Sequence, residues 1–437
     1  MSTRVRTTVV VLSTLLVALL LIGAVLARNT ANEGAYRQLG VYSDVLQRIK
    51  SDYVEEPDLK SVTLGAINGL LESIDPFASY LNAEQYREYL KNKDAYKGSV
   101  GLILSKRFGY VGVVDSIPGS PAAKAALTTG DMIESIRGIA TRDMPLAYAN
   151  MLLQGKPGTT IELSVMAVRH PEPRKVTLTR AAIDYPRVAV KMMPDSIGYV
   201  QVQAMVPGTA AQITEAVKDL AKQGAVKLIL DLRYCGTGSP EEGIAIANLF
   251  QQKGLVTYAE GQHYPRKDFE ADPAKTVTAL PLVVLTNRGT AAGAEVAAAA
   301  LLDSKRAEQV VGEHTYGDAS VRQAIAMDDG GAIILSVAKY YSPSGKAIQD
   351  VGVVPTVQVM EAEPPAAAAE TEEDEDNTAE EAPAVKPGDD PILKKALEVA
   401  VKGASADATP QPGTPVGHQA APMQPNTPSH VPAAPQH

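Results

Sequence analysis

Apolar positions in the second half of the chain follow two alternating periods. Ile197–Gln203 and Val226–Leu232 are short runs of strand-forming residues, and the second is apolar enough for a strand buried on both faces. Between them, Ala210–Gln223 repeats its apolar residues at the spacing of an amphipathic helix. This alternation predicts an α/β core over residues 183–360.

A strand-to-helix elbow is the most informative part of that core. Pro281–Thr286 predicts a buried strand, Asn287–Gly289 has the composition of a turn, and Ala291–Leu302 is an alanine-rich helical stretch. Such an elbow presents a small side chain and free backbone N–H groups at a helix N-terminus. Nucleophiles and oxyanion sites are commonly built there, so we expect the functional centre of the core at this elbow.

The remaining segments differ from the core in pattern. Residues 31–95 have amphipathic periodicity and predict two helices joined near Glu55–Asp58, whereas residues 96–182 alternate short strands with glycine turns. Residues 361–388 are predicted to be an acidic, disordered linker, and residues 404–437 a disordered tail. Between them, residues 389–403 predict one more helix, which closes the core. The chain is therefore predicted to be a multidomain protein that combines α/β and α+β architecture.

Residues 1–30 contain a targeting signal. Arg4 and Arg6 precede an apolar run from Thr8 to Ala27, which is about 20 residues and long enough to span a bilayer. This length favours an uncleaved signal anchor over a cleavable signal peptide, whose apolar region is roughly 7–15 residues, although Val25–Ala27 is an acceptable cleavage site. Because the arginines lie on the amino-terminal side, we expect a membrane-anchored protein that faces the periplasm or extracytoplasmic space.

The charge distribution and the cysteine content argue against several classes of function and structure. The chain of 437 residues has a net charge of −9, but ten acidic residues lie within 361–382 and leave the remainder nearly neutral. This distribution does not favour nucleic acid as a partner. Cys235 is the single cysteine, which excludes an intrachain disulfide. The scattered histidines lack the spacing of metal ligands, so we expect neither a metal nor a cofactor.

Three motifs in the core carry a family resemblance. Gly289–Glu295 reads GTAAGAE, Thr315–Arg322 reads TYGDASVR, and Lys339–Gln349 reads KYYSPSGKAIQ. They resemble motifs of the carboxyl-terminal processing peptidases, or tail-specific proteases, in which G-[ST]-A-S-A-S-E holds a serine nucleophile. In that family [TS]-F-G-K-G-x-x-Q holds a lysine base and an assisting glutamine. The resemblance covers about Tyr36–Gln358 and the helix near Leu393, and it implies a serine endopeptidase fold.

The three working positions of that family are replaced in this chain. Ala292 stands at the nucleophile position, Asp318 at the base position and Arg322 at the position of the assisting glutamine. A Ser–Lys hydrolase requires an oxygen nucleophile and a neutral amine whose pKa is lowered by burial. Because a methyl group cannot attack a carbonyl carbon, we expect no catalytic residue at this centre.

The loop after the buried strand also departs from the family pattern. The family motif D-L-R-x-N-x-G-G contributes glycines to the oxyanion region, whereas this chain keeps Asp231–Arg233 and has Thr237 at one glycine position. An active enzyme would then need a relocated nucleophile, for which the candidates are Ser320, Thr290, and Cys235 with His314 as its partner. A lone cysteine after an apolar strand is most often a core residue.

Residues 96–182 resemble a PDZ domain. The resemblance rests on YKGSVGL at Tyr96–Leu102, PGSPA at Pro118–Ala122 and LTTGDMIESI at Leu127–Ile136. A peptide tail binds such a domain by adding a strand to an exposed edge while backbone N–H groups hold its carboxylate. The alternative is a domain that only spaces its neighbours. The implied peptide-binding residues are Lys97, Gly98, Ser99, Val100, Gly101, Leu102, Ile103 and Leu104.

The leading hypothesis is a membrane-anchored homologue of these peptidases that binds protein or peptide carboxyl termini without cleaving them. Its partners would also include an active paralogue or a membrane protein. The competing hypothesis is an active serine-type endopeptidase that cleaves near substrate carboxyl termini with a relocated nucleophile. A purely structural role ranks third.

Overall fold

The computed structural model describes residues 39–92, 98–107, 109–142, 144–167, 172–361 and 390–402. The expected signal segment at 1–30, the tail at 404–437, Lys97 and all but the first residue of the acidic linker lie outside this part of the chain. Among the residues described, no helix combines the length and apolarity required to cross a bilayer.

The amino-terminal region is mainly helical. Its elements are α1 (residues 39–52), α2 (Leu59–Glu72), β1 (Ser79–Leu81) and α3 (Ala83–Asn92). Helix α2 begins after Asp58, whose carboxylate accepts a hydrogen bond of 3.0 Å from the Lys60 N–H and so satisfies one of the free donors of the first turn.

Residues 98–181, here termed the small unit, form a sheet with two helices. Its elements are β2 (Leu102–Arg107), β3 (Tyr110–Ser116), α4 (Pro121–Lys124), β4 (Met132–Ile136), β5 (Ile139–Ala140), α5 (Leu146–Leu153), β6 (Thr160–Met166) and β7 (Arg174–Thr179). The strand order is β2-β3-β4-β6-β7, and β5 pairs with β4. Strand β2 is therefore an edge strand, and helix α5 packs beside it.

The core, which comprises residues 184–361 and 390–402, alternates strands and helices. Its elements are β8 (Ala189–Met193), β9 (Ile197–Gln201), α6 (Thr209–Lys222), β10 (Lys227–Asp231), α7 (Pro240–Phe250), β11 (Leu255–Gly261), β12 (Tyr264–Glu270), β13 (Leu282–Thr286), α8 (Gly293–Asp303), β14 (Ala307–Gly312), β15 (Ser320–Ala326), β16 (Ala332–Tyr341), β17 (Val357–Gln358) and α9 (Pro391–Lys402).

A six-stranded sheet in the order β17-β14-β13-β10-β9-β8 lies at the centre of the core. All neighbouring pairs are parallel except β8 with β9. Leu228 and Leu230 of β10 pack in the cluster that contains α6, α7 and α8, whereas Ile229 packs on the opposite face with Ile392 of α9. Helices cover both faces, which explains why the strand sequence is continuously apolar.

A second sheet joins the amino-terminal region to the core. Its order is β1-β16-β11-β12, and β15 also pairs with β16. Strand β1 runs antiparallel to β16, with Ser79 opposite Ile334 and Leu81 opposite Ala332. The amino-terminal region therefore contributes a strand to the core, and the turn before β1 lies close to β15.

Candidate functional site

The elbow between β13 and α8 has a strained backbone at the position that the resemblance assigns to a nucleophile. Ala292 has φ 53° and ψ −123° and immediately precedes α8. A positive φ is uncommon for a residue with a Cβ and costs on the order of 1–3 kcal/mol. Helix α8 begins at Gly293 and not at Ala291, where the periodicity placed it, because Ala292 cannot be helical in this conformation. Ala292 is only partly buried, so its methyl group lies at an accessible turn.

Close packing of α7 against α8 fixes the elbow. A methyl group added at Gly243 would lie 2.0 Å from the carbonyl oxygen of Gly293, and one added at Gly293 would lie 2.3 Å from that of Ser239. Only glycine fits at these two positions. The Ser239 hydroxyl caps α7 by accepting a 3.2 Å hydrogen bond from the Glu242 N–H. The amino-terminal ends of both helices are thereby held next to each other.

Asn287 and Thr290 brace the turn that leads into the elbow. The Asn287 side-chain oxygen accepts hydrogen bonds of 3.0 Å from the N–H groups of Tyr234 and Gly289. The Thr290 hydroxyl donates to the Leu232 carbonyl oxygen at 2.9 Å and accepts from the Asn287 N–H at 3.0 Å. Thr290 is fully buried. Its hydroxyl therefore connects two loops and does not point into open space.

Glu295, in the first turn of α8, connects the elbow to the loop that carries Asp318. Its carboxyl group accepts hydrogen bonds from the Thr315 hydroxyl, from the Gly317 N–H at 2.6 Å and from the Asp318 N–H at 2.7 Å. Complete burial raises the pKa of Glu295 to about 8, although the three donors oppose this rise. Glu295 was not assigned a functional role from the sequence, but an acidic residue in an otherwise apolar helix is a usable signal.

Asp318 and Arg322, the residues at the base and assisting positions, form an ion pair with each other. The Arg322 and Asp318 side chains are 30% and 16% exposed, and the guanidinium carbon of Arg322 lies 4.2 Å from the ring centre of Phe77. Burial raises the pKa of Asp318, Arg322 lowers it, and the nearby carboxylates of Asp75 and Asp350 raise it further. The structure therefore brings into direct contact two of the three residues that the resemblance places at the working positions.

The loop Tyr234–Gly238 follows β10 and faces the elbow. Its start is anchored by Arg233, whose guanidinium contacts Asp231 at 2.7 Å and Asp390 at 2.8 Å. Asp390 also accepts a 2.9 Å hydrogen bond from the Leu393 N–H and so caps α9. One buried arginine therefore ties the loop to the carboxyl-terminal helix. The Ala291 N–H donates to the Cys235 carbonyl oxygen at 3.1 Å, which holds the loop and the elbow together.

Cys235, Ser320 and His314 do not form a catalytic arrangement. Cys235 is fully buried, and this burial is the main cause of a raised pKa of its thiol. The negative charges of Asp115 and Asp231 raise that pKa further. The Ser320 hydroxyl bonds to the Ser336 hydroxyl at 2.9 Å, and the exposed His314 ring directs Nδ1 to the Thr315 carbonyl oxygen at 2.8 Å. Within the described residues, no hydrogen bond joins His314 to Cys235 or to Ser320.

The residues with the predicted peptide-binding role lie at the edge of the small unit. Strand β2 begins at Leu102, and in the segment Gly98–Gly101 before it Gly98 and Ser99 pair with Gly155 and Ala181. Val100 and Leu104 are buried at 0% and 5% exposure in the core of the small unit, whereas Leu102 and Ile103 are partly buried. Gly101 has φ +81°, and a methyl group there would lie 2.2 Å from the Cβ of Ser120, so the turn requires glycine.

No cluster of three or more histidine, cysteine or acidic side chains suited to a metal ion occurs in the described ranges.

A mainly parallel sheet with a strained strand-to-helix elbow, faced by a glycine-containing loop, is the arrangement of α/β hydrolytic enzymes that carry their nucleophile at such an elbow. The profile of peptidase family S41 matches residues 196–359. A carboxy-terminal-processing protease of Bartonella bacilliformis is 31% identical over 339 residues, which cover 76% of this chain and 77% of that protein. Carboxy-terminal processing protease CtpA of Bacillus subtilis is 33% identical over 316 residues, 71% of this chain and 67% of that protein.

Comparison with solved structures agrees with the sequence matches. The photosystem II D1 C-terminal processing protease superimposes with a TM-score of 0.60 at 29% identity and covers 72% of this chain and 86% of that one. This chain belongs to peptidase family S41, among the carboxy-terminal processing proteases.

Proposed function

We propose that this chain is a catalytically silent member of its family that binds protein carboxyl termini without cleaving them. The observation that carries the proposal is the methyl group of Ala292 at the strained turn before α8. The motif resemblance implies that the related enzymes have a serine hydroxyl at this position. The backbone conformation of a nucleophile elbow is retained, but no atom at its apex can form an acyl intermediate.

The ion pair between Asp318 and Arg322 supports the same conclusion. A base for a serine nucleophile must be close to the nucleophile and able to accept its proton. Here the Asp318 carboxylate is engaged by Arg322 and lies on a loop held by Glu295. The two positions that hold a lysine and a glutamine in the family motif thus carry an acidic and a basic group that pair with each other.

The contacts of Thr290, Ser320 and Cys235 do not favour the alternative, in which one of these residues is a relocated nucleophile. The Thr290 hydroxyl is fully buried and has both a donor and an acceptor partner. The Ser320 hydroxyl is paired with Ser336 on the neighbouring strand. The raised pKa of Cys235 keeps its thiol protonated, and a thiol is a much weaker nucleophile than a thiolate.

Binding of a protein tail is proposed for the small unit, which we interpret as a PDZ domain. Strand β2 is an edge strand and helix α5 packs beside it, which is the arrangement that a peptide uses when it adds a strand to a sheet. The segment Gly98–Gly101 precedes β2 and is the proposed position of the terminal carboxylate, which would have to replace the present acceptors of the Gly98, Ser99 and Gly101 N–H groups. The related carboxy-terminal processing proteases are named for acting on such termini.

We further propose that residues 1–30 anchor the chain in a membrane with its folded part in the periplasm or extracytoplasmic space. An anchored, non-cleaving binder would act as a scaffold or decoy, or it would pair with an active paralogue or a membrane protein. Co-purification from native membranes, with the anchor intact, tests for these partners.

The test of the proposed function uses fluorescently labelled peptides of random-coil sequence that end in apolar residues. The chain is expected to bind peptides with a free carboxyl terminus, to bind the same peptides with an amidated terminus at least tenfold more weakly, and to leave both intact after long incubation. Cleavage of either peptide contradicts catalytic silence. Equal binding of the free and amidated forms, or no binding, contradicts recognition of carboxyl termini.

A further inference from the structure

The small unit contacts the core at the loop that faces the elbow. Asp115 at the end of β3 stands directly opposite Ile103 of β2 in the strand register. A methyl group added at Gly236 would lie 3.2 Å from both the Asp115 Cβ and the Ile103 Cδ1. Cross-strand neighbours project from the same face of a sheet, so this residue pair forms the surface with which the small unit meets the loop Tyr234–Gly238.

A carboxyl group is thereby buried at a boundary between two units. Asp115 is 6% exposed. It accepts a 2.8 Å hydrogen bond from the Ser116 N–H within its own strand, and the backbone N–H of Gly236 in the core lies close enough to lower its pKa. Its hydrogen-bond donor therefore belongs to the small unit, whereas Gly236 belongs to the core and approaches it only while the units are docked.

No cation compensates this burial among the described residues. Strand β2 presents the apolar side chain of Ile103, and the core loop presents the Gly236 N–H and the thiol of Cys235, which stays neutral. Neither a lysine nor an arginine is among the groups that shift the pKa of Asp115. Burial without a cation raises the pKa of Asp115 to about 7, although the N–H groups of Ser116 and Gly236 act to lower it.

We propose that Asp115 is a pH-sensitive latch between the small unit and the loop Tyr234–Gly238, closed while its carboxyl group is protonated and weakened when that group ionises. Separation of the units returns the carboxyl group to water, where its ordinary pKa is about 3.9. The docked state therefore binds more protons than the open state between these two pKa values. Acidification strengthens docking, and a rise of pH through 7 weakens it.

Opening would uncover the face of the small unit that carries Ile103 on the edge strand β2. If the small unit binds tails at that edge, the latch also controls access to it. This consequence rests on the proposed function, whereas the latch itself does not.

The single cysteine provides a direct probe of the latch. Cys235 is fully buried in the loop that Asp115 contacts, so a neutral disulfide reagent such as dithiodipyridine reaches it only when the loop opens. The reaction rate of the folded chain is divided by that of the urea-unfolded chain at the same pH. This division cancels the part of the pH dependence that comes from ionisation of the exposed thiol. The quotient reports the open fraction.

The open fraction is expected to rise about tenfold between pH 6 and pH 8, the change that a carboxyl group with a pKa of about 7 produces in the docking equilibrium. In Asp115→Asn, which keeps the shape and an acceptor but cannot ionise, the open fraction is expected to stay flat. Asp131→Asn is the matched control, because Asp131 is also buried in the small unit but accepts from the Thr128 N–H within it. This control is expected to keep the rise of the wild type.

Two results overturn the latch. A flat open fraction in the wild-type chain contradicts it without any variant. A tenfold rise that persists in Asp115→Asn assigns the pH dependence to another group. Neither result bears on tail binding, and a failure of peptide binding leaves the thiol measurement unaffected.

Discussion

The guanidinium of Arg322 lies 4.2 Å above the ring of Phe77 while it pairs with the Asp318 carboxylate. Phe77 belongs to the turn before β1 and packs in the apolar cluster of the small unit. Arg322, paired with Asp318, therefore contacts the amino-terminal region and, through Phe77, the small unit. A cation over an aromatic ring contributes roughly 0.5–2 kcal/mol.

Arg322→Gln is expected to destabilise the chain more than the double change Asp318→Asn with Arg322→Gln. The single variant leaves the mostly buried Asp318 carboxylate beside the carboxylates of Asp75 and Asp350 without its cation, a loss of about 2–4 kcal/mol. The double variant removes the charge as well and should recover at least half of that loss. Urea unfolding of the four members of the double-mutant cycle measures both values. Strictly additive losses would mean that the pair is not coupled.

Glu295→Gln is expected to flatten the pH dependence of stability. Because the folded-state pKa of Glu295 is raised to about 8 from an ordinary value near 4.3, its contribution to stability is complete below pH 4 and is lost as pH rises toward 8. The free energy of unfolding should therefore fall with rising pH more steeply in the wild type than in the variant, by more than about 1 kcal/mol between pH 5 and pH 8.

The matched control for Glu295 is Glu398→Gln on the exposed surface of α9, where the pKa of the carboxyl group is lowered by Lys402 and Lys395. That variant is expected to keep the slope of the wild type over the same pH range. Parallel curves for the wild type and Glu295→Gln would contradict the assigned role of Glu295.

Thr290→Val is expected to cost about 1–3 kcal/mol, because it removes the hydroxyl that donates to Leu232 and accepts from Asn287 inside a fully buried site. Thr290→Ser keeps the hydroxyl and should cost less than about 1 kcal/mol. Thermal unfolding ranks the two variants. A loss in Thr290→Ser as large as that in Thr290→Val would mean that the methyl group stabilises the turn as much as the hydrogen bonds do, against the role assigned to the hydroxyl.

Arg233→Lys is expected to loosen helix α9 although it conserves the charge. Lysine cannot form the two forked contacts that Arg233 makes with Asp231 and Asp390. Hydrogen exchange of the α9 amides should accelerate at least tenfold in the variant. Lys227→Arg, at the opposite end of β10, where the side chain contacts the other end of α9 through the Ala400 carbonyl oxygen, is the control and should leave exchange within threefold of the wild type. Unchanged protection in Arg233→Lys would show that apolar packing alone holds the helix.

The sequence predicted the elements of the elbow better than their connections. Periodicity placed strands near Pro281–Thr286 and Val226–Leu232 and a helix after Thr290, since burial on both faces and alanine content are local signals. It placed the start of α8 two residues early, because a positive φ at an alanine has no local signature. It also did not predict β1, whose three residues become a strand only by pairing with β16.

The contacts that define the site could not be read from local pattern at all. Asp318 and Arg322 are four residues apart and form an ion pair. A bulge between Val321 and Arg322 interrupts the regular strand, so this contact does not follow from the period of a strand. The contact of Asp115 with Gly236, and that of Arg233 with Asp390, join positions more than a hundred residues apart. Such pairings depend on how whole units dock, which a single sequence does not encode in its periodicity.

The most direct test of catalytic silence is rebuilding of the dyad. Wild-type chain and Ala292→Ser are expected to resist labelling by a fluorophosphonate probe, because the single change supplies an oxygen but no base. The triple variant Ala292→Ser, Asp318→Lys and Arg322→Gln should be labelled at the introduced serine and should cleave unstructured peptides. Asp318 and Arg322 must change together, since a lysine beside Arg322 would be repelled. Labelling of the wild-type chain, or its cleavage of a peptide tail, would contradict the account.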